Sequence, residues 1–195
     1  MAMKFKSDID IDVADRDKIL SIIQNIPASM RKNGPIRKHP TGIYVTKIPY
    51  DPVNNMSSLH YEDAEDRGYL KLDLLNVHVY KQVKDEEHLN SLMTEPDWSM
   101  LNDPEIVKDL IHLGNHYNTL CKMPEPVNTI PRLAMFLAVI RPGKKHLIGK
   151  TWAEVAKTIW DREEGTYTFK KSHAIAYAHL VVVHMNILSN ELKIS

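Results

Sequence analysis

A chain of 195 residues is long enough for one good hydrophobic core, or at most two small ones. Its 25 Lys and Arg balance its 25 Asp and Glu, so no global field selects nucleic acid or membrane, and any basic surface has to be local. The single cysteine, Cys121, excludes an internal disulfide framework and a cysteine-based zinc site, which fits a reducing, cytoplasmic setting. No apolar run follows the N-terminal charges, so no signal peptide is expected, and no stretch approaches the ~20 apolar residues of a membrane span.

The first element is an alternating stretch. In Phe5 to Val13, residues Phe5, Ser7, Ile9, Ile11 and Val13 fall on one side, and Lys6, Asp8, Asp10 and Asp12 on the other. A period of two predicts a strand with a buried apolar face and a polar face. Three carboxylates in one file repel each other. Such a file is either well solvated on an edge strand, where it discourages aggregation, or neutralised by a cation. Hard cations such as Mg²⁺ take carboxylate oxygens, so the file is a candidate cation site.

Ile19, Ile22, Ile23 and Ile26 recur at helical spacing, with Asp15 as the expected N-cap and Pro27 as the expected terminator. Residues 28–41 read as a loop, marked by Gly34-Pro35 and Pro40. The loop is locally basic at Arg31, Lys32, Arg37, Lys38 and His39, a cluster suited to phosphate contact or to simple solvation. Gly42 to Ile48 reads as a strand, and Ser57 to Tyr61 as a short edge strand. A second alternating stretch, Gly68 to Leu75, sets Leu70, Leu72 and Leu74 on one face and Tyr69, Lys71 and Asp73 on the other. If it pairs with the first strand, Asp73 shares a face with Asp8 and Asp10. Carboxylates from adjacent strands are the arrangement that two-metal phosphoryl transfer needs. The plainer reading of Asp73 is a solvated or lysine-paired strand carboxylate.

The remainder is mainly helical. Helices are expected from Asp85 to Met93, from Asn102 to Gly114, from Ile130 to Ile140, from Thr151 to Trp160 with a capping box at Glu154, and from His173 towards Leu192 with Ser172 as cap. His173, His179 and His184 fail the one-face spacing of metal ligands, and Gly114 interrupts the pair His112 and His116. No Walker loop, dinucleotide-binding glycine pattern or nucleophile elbow is present. The fold expected is α+β in a single domain, sheet-containing over residues 1–83 and mainly helical over 84–195.

Ser7-Asp8-Ile9-Asp10-Ile11-Asp12-Val13 with Arg16-Asp17 resembles the Asp-x-Asp-x-Asp palm motif of the bacterial DNA polymerase III alpha subunit family. Four more blocks resemble that family in the same order: Arg37 to Val45, Ala64 to Leu75, Ala138 to Gly143, and Phe169 to Ala178. The resemblance spans most of the chain and is that of a short, phage-type relative.

It implies a reduced polymerase-β-like nucleotidyltransferase palm, a small mixed sheet with a helical C-terminal half. It also implies that Asp8, Asp10 and Asp73 are catalytic ligands for Mg²⁺, with Mn²⁺ as a substitute. Asp12 and Lys71 are then supporting residues. Arg37, Lys38, His39, Arg141, Lys170, Lys171, Ser172 and His173 are the implied contacts for DNA or nucleotide phosphate. DNA, a deoxynucleoside triphosphate and other replication proteins are the implied partners.

Departures from the family pattern are as specific. Seven residues precede Asp8 in this sequence, and the family's upstream Gly-Ser motif is not expected among them. A short segment, Lys144 to Thr168, stands where the family has its long fingers region. Phosphoryl transfer also needs primer, template and nucleotide to be positioned. Three functional classes therefore follow: a minimal nucleotidyltransferase, an inactive DNA-binding accessory protein, and a protein that engages a host polymerase.

Overall fold

The computed structural model describes residues 8–31, 34–161 and 169–192, with the side chain of Asp8 excepted. Strand β1 (Asp8–Val13) leads into helix α1 (Arg16–Ile22), and β2 (Ile26–Arg31) and β3 (Ile36–Tyr44) follow. A two-strand ribbon of β4 (Tyr50–Asp51) and β5 (Met56–Ser57), helix α2 (Tyr61–Asp66) and strand β6 (Lys71–Asn76) complete the first part. The second part holds α3 (Glu86–Leu92), α4 (Pro104–Asp109), α5 (Tyr117–Leu120), α6 (Ile130–Val139), α7 (Trp152–Thr158) and α8 (Lys171–Leu192). The fold is mixed α+β. The chain divides into two compact units, Met1–Lys81 and Gln82–Ser195. No helix among the described residues is long and apolar enough to cross a membrane.

The main sheet has the order β1-β6-β3-β2. β1 and β6 run parallel, while β6 with β3 and β3 with β2 run antiparallel. Helix α1 covers one face. Its Ile19 and Leu20, with Ile23 just beyond it, pack against Val13, Ile43, Leu72 and Leu74. The opposite face carries Ala28 and Tyr44 against Ala64 of α2.

Several expectations are corrected. Of the apolar file on β1, Val13 is buried, but Ile9 and Ile11 are 44% and 38% exposed, because α1 covers only the C-terminal end of this edge strand. Phe5 and Ser7 lie outside the described residues. Helix α1 stops at Ile22 and Ile26 already belongs to β2. The terminator is Asn25, whose amide donates to the carbonyls of Leu20 and Ile23. Pro27 sits within β2, where an edge strand tolerates its missing donor.

The expected loop over 28–41 is instead most of a hairpin formed by β2 and β3. Between the pairs Ser29–Lys38 and Pro27–Ile43, β2 advances two residues while β3 advances five. Four residues, His39 to Gly42, thus stand opposite the single Ala28, and the stretch bulges from this ladder and accommodates Pro40. A bulge re-aims side chains, and this one turns His39 and Thr41 towards β6.

In the second unit, α6 and α8 carry a large apolar core with Leu133, Phe136, Leu137, Ala178, Val182 and Met185 fully or nearly fully buried. Thr129 caps α6, and Thr151 with Glu154 forms the expected capping box on α7. Helix α4 ends at Asp109, short of Gly114, and His112 beyond it has a left-handed φ of 64°. Helix α8 begins at Lys171, and the Lys170 carbonyl accepts from the Ala174 amide. Ser172 therefore lies in the first turn and is not the cap.

Candidate functional site

The parallel register of β1 and β6 sets Asp8 opposite Lys71, Asp10 opposite Asp73 and Asp12 opposite Leu75. Residues paired across a ladder project to the same side, so Asp10 and Asp73 face one way. Asp10 and Asp12 are exposed on the edge strand, whereas Asp73 and Lys71 on the inner strand are buried. The antiparallel partner of Asp73 on its other side is Gly42. A Cβ at Gly42 would stand 2.8 Å from Lys71 Cδ and 2.9 Å from His39 Nδ1. Glycine is needed here for space. Its bare backbone leaves the room that the lysine stem and the imidazole fill.

Asp73 is held from two sides. The Lys71 ammonium donates to Oδ2 as a close ion pair, and Thr41 Oγ1 donates to Oδ1 at 2.6 Å. His39 Nδ1 lies 3.5 Å from Oδ1 but accepts the Gly42 amide at 2.9 Å. That amide uses the Nδ1 lone pair, so the proton of the neutral ring sits on Nε2 and His39 gives Asp73 no direct hydrogen bond. Tyr61 of α2 closes the face. Its ring centre is 5.6 Å from Lys71 Nζ and 5.3 Å from the His39 ring. Burial acts to raise the Asp73 pKa, but the hydrogen bonds from Lys71 and Thr41 and the nearby positive charge outweigh it. The carboxyl is held below its ordinary value and is ionised at neutral pH.

A hard cation fits this donor set in type, with two carboxylates facing one way from adjacent strands. In this structure, however, the Lys71 ammonium already neutralises Asp73, and a metal ion would have to displace it from Oδ2. Among the described residues no group of three His, Cys, Asp or Glu side chains is arranged to hold a metal ion. The Asp8 side chain, the third implied ligand, lies outside them. Asp12 acts elsewhere: after burial, its charge is what raises the Tyr80 phenol pKa.

The remaining implied residues fall into two groups. Arg37 and Lys38 are exposed on β3, two and one residues before the bulge, while His39 is drawn inward beneath Tyr61. In the second unit, Arg141 lies 4.5 Å above the Phe169 ring, joining two stretches far apart in sequence. Phe169 also packs edge-on to His173 at 6.3 Å. Lys170, Lys171 and Ser172 are exposed at the start of α8. Thr41, Gly42 and Tyr61 have no assigned role in the sequence reading. The signal that could have found Thr41 and Gly42 is the run His39-Pro40-Thr41-Gly42, whose proline and glycine inside a strand pattern mark a bulge. Comparison with family models, with curated proteins and with solved structures gave no match.

Proposed function

We propose that this protein is a DNA polymerase III alpha-like, metal-dependent nucleotidyltransferase acting in DNA replication. Asp10 and Asp73, together with Asp8, are its ligands for Mg²⁺ or Mn²⁺. One observation carries this reading: Asp10 and Asp73 stand opposite each other in register on adjacent parallel strands. A bound divalent ion supplies charge stabilisation at the transferring phosphoryl group and activation of a 3′-hydroxyl. The chain's own part is to hold the carboxylates. Thr41 fixes the Asp73 carboxylate through Oδ1, and the bulge between β2 and β3 holds Thr41. Lys71 serves as the internal counter-ion of Asp73 until a cation takes its place. Arg37 and Lys38 in the first unit, and Arg141 and Lys170 to His173 in the second, are the groups this reading assigns to nucleic-acid or nucleotide phosphate. Primer extension by the full chain tests it. Incorporation that depends on Mg²⁺ and disappears in Asp10→Ala, an exposed position whose loss leaves the core intact, is the expected result. Undiminished incorporation by that variant rejects the assignment.

The closed Lys71–Asp73 pair favours a second reading, a catalytically inactive DNA-binding or replication-interaction protein derived from a polymerase. In that case Lys71 stabilises the sheet permanently. Primed DNA is then bound in a salt-sensitive way through exposed cations, and no nucleotide is incorporated under any metal.

A further inference from the structure

We propose that a cavity within the second unit is a binding site for a single nucleobase. The 3₁₀ turn Trp98–Asn102, helix α5 and residues 126–128 ahead of α6 enclose it. Its volume is about 360 Å³, within the roughly 300–1,000 Å³ of clefts that hold small molecules. Leu101 and Val127, both buried in the core of this unit, supply its apolar surface. Trp98 and Tyr117 are half-buried and supply its aromatic surface.

Both rings are held by their polar edges. Trp98 Nε1 donates to Glu95 Oε1 at 2.6 Å, and the Tyr117 hydroxyl donates to the Asn102 carbonyl at 3.0 Å. Rings fixed in this way keep their faces for a flat partner. The Tyr117 phenol stays neutral, because its hydrogen bond with Cys121, and then burial, raise its pKa above the ordinary value. Among the described residues that line the cavity none is charged, so nothing there compensates a charged ligand for leaving water. Two exposed members of the lining have a fixed hydrogen-bonding sense. Arg132 donates to Asn128 Oδ1 at 3.0 Å, which leaves the Asn128 amide nitrogen to donate. The Ser99 hydroxyl donates to Asp97 Oδ1 at 2.6 Å, which leaves its oxygen to accept. A partner that answers all of this is flat, neutral and edged with both an acceptor and a donor. A nucleobase has that form, and unpaired bases are held by stacking on aromatic side chains with hydrogen bonds along the base edge. A hydrocarbon ring lacks the edge, and a phosphate lacks the flat neutral face.

The base is carried either by a free nucleoside or by unpaired DNA, and only the second carrier rests on the nucleic-acid reading above. Deoxyadenosine, thymidine, deoxyribose 5-phosphate, toluene and a single-stranded oligonucleotide are each titrated into the full chain. Affinity is followed by calorimetry and the indole N–H resonances by NMR. Both nucleosides are expected to bind and to move the Trp98 resonance while leaving that of Trp160 in place. The sugar phosphate, which has no base, is expected to do neither. Trp98→Ala is expected to weaken nucleoside binding by about tenfold or more. Asn128→Asp keeps an acceptor for Arg132 and removes only the donor, and is expected to weaken binding by about fivefold. Asn128 is exposed, so its variant keeps the test valid if Trp98→Ala fails to fold. Nucleoside binding without oligonucleotide binding keeps the site and removes DNA as the carrier. No binding of either nucleoside, toluene bound as tightly as the nucleosides, or unchanged affinity in Asn128→Asp and in folded Trp98→Ala overturns the site.

Discussion

Asp73 in the first unit and Arg141 in the second are both withdrawn from water, yet their surroundings differ. Asp73 meets a lysine two residues away on its own strand, a threonine from a bulge and a histidine held by backbone amides. Arg141 meets an aromatic ring, and its charge, after burial, helps hold the His112 and His116 pKa values below the ordinary histidine value. One charge is neutralised by an ion pair within the fold, and the other has, among the described residues, a ring for a neighbour and no carboxylate partner. A ligand that reaches Asp73 therefore has to compete with a resident partner.

The comparison is broken most strongly by removing the resident partner. Lys71→Met leaves a buried carboxylate without its cation, and the cost is about 3–5 kcal/mol of first-unit stability. Replacing both members, as Lys71→Met with Asp73→Leu, removes the stranded charge and recovers most of that loss. Urea unfolding monitored at both units separates the effect from the helical core. Equal destabilisation by the single and the double variant would show that the ion pair does not govern this strand.

Next in size is the space that Gly42 leaves. Gly42→Ala drives a methyl group against Lys71 Cδ and His39 Nδ1. The expected loss is about 1–3 kcal/mol, as for other overpacked interiors. A midpoint unchanged from wild type would mean that the lysine stem is not confined there.

The pH profile is a smaller effect of known sign. The folded pKa of Asp73 lies below its unfolded value. Its contribution to stability is therefore complete above the ordinary carboxylate range and is lost as pH falls through the depressed folded value. Asp73→Asn should flatten that acid limb while leaving the neutral region unchanged in slope. An acid limb of the same steepness in the variant would assign the effect to other carboxylates.

How much of this was legible beforehand depends on the kind of signal. Alternation located β1 and β6, apolar runs located α6 and most of α8, and a capping box located α7, because each pattern extends over several residues. The hairpin of β2 and β3 escaped. Pro27 and Pro40 argue against strands in general, and only edge position and a bulge allow them here. Helix α2 escaped because six residues carry too little periodicity. At the site, lysine pairing of Asp73 was one of two plain readings of the sequence. For Thr41 and Gly42 the only signal was the proline and glycine that mark a bulge, and the part played by Tyr61 was not readable, since a short helix brings it there. The exposure of Ile9 and Ile11 likewise depends on how far α1 reaches along an edge strand.

The smallest effects expected are at the surface. Arg37→Gln and Lys38→Gln each remove one exposed cation from β3. Each should weaken primed-DNA binding uniformly across sequences and reduce the salt slope by about one. A slope unchanged in both variants would take DNA away from this strand.

The proposal that Asp10 and Asp73 share a divalent ion is tested most directly by calorimetric titration of Mn²⁺ into wild type and Asp10→Asn. Both are measured with and without primed DNA and nucleotide. Wild type should bind the ion, more tightly once phosphates complete the coordination, and Asp10→Asn should lose that gain. Identical heats from the two proteins, or no binding by wild type even with nucleotide present, would contradict the account.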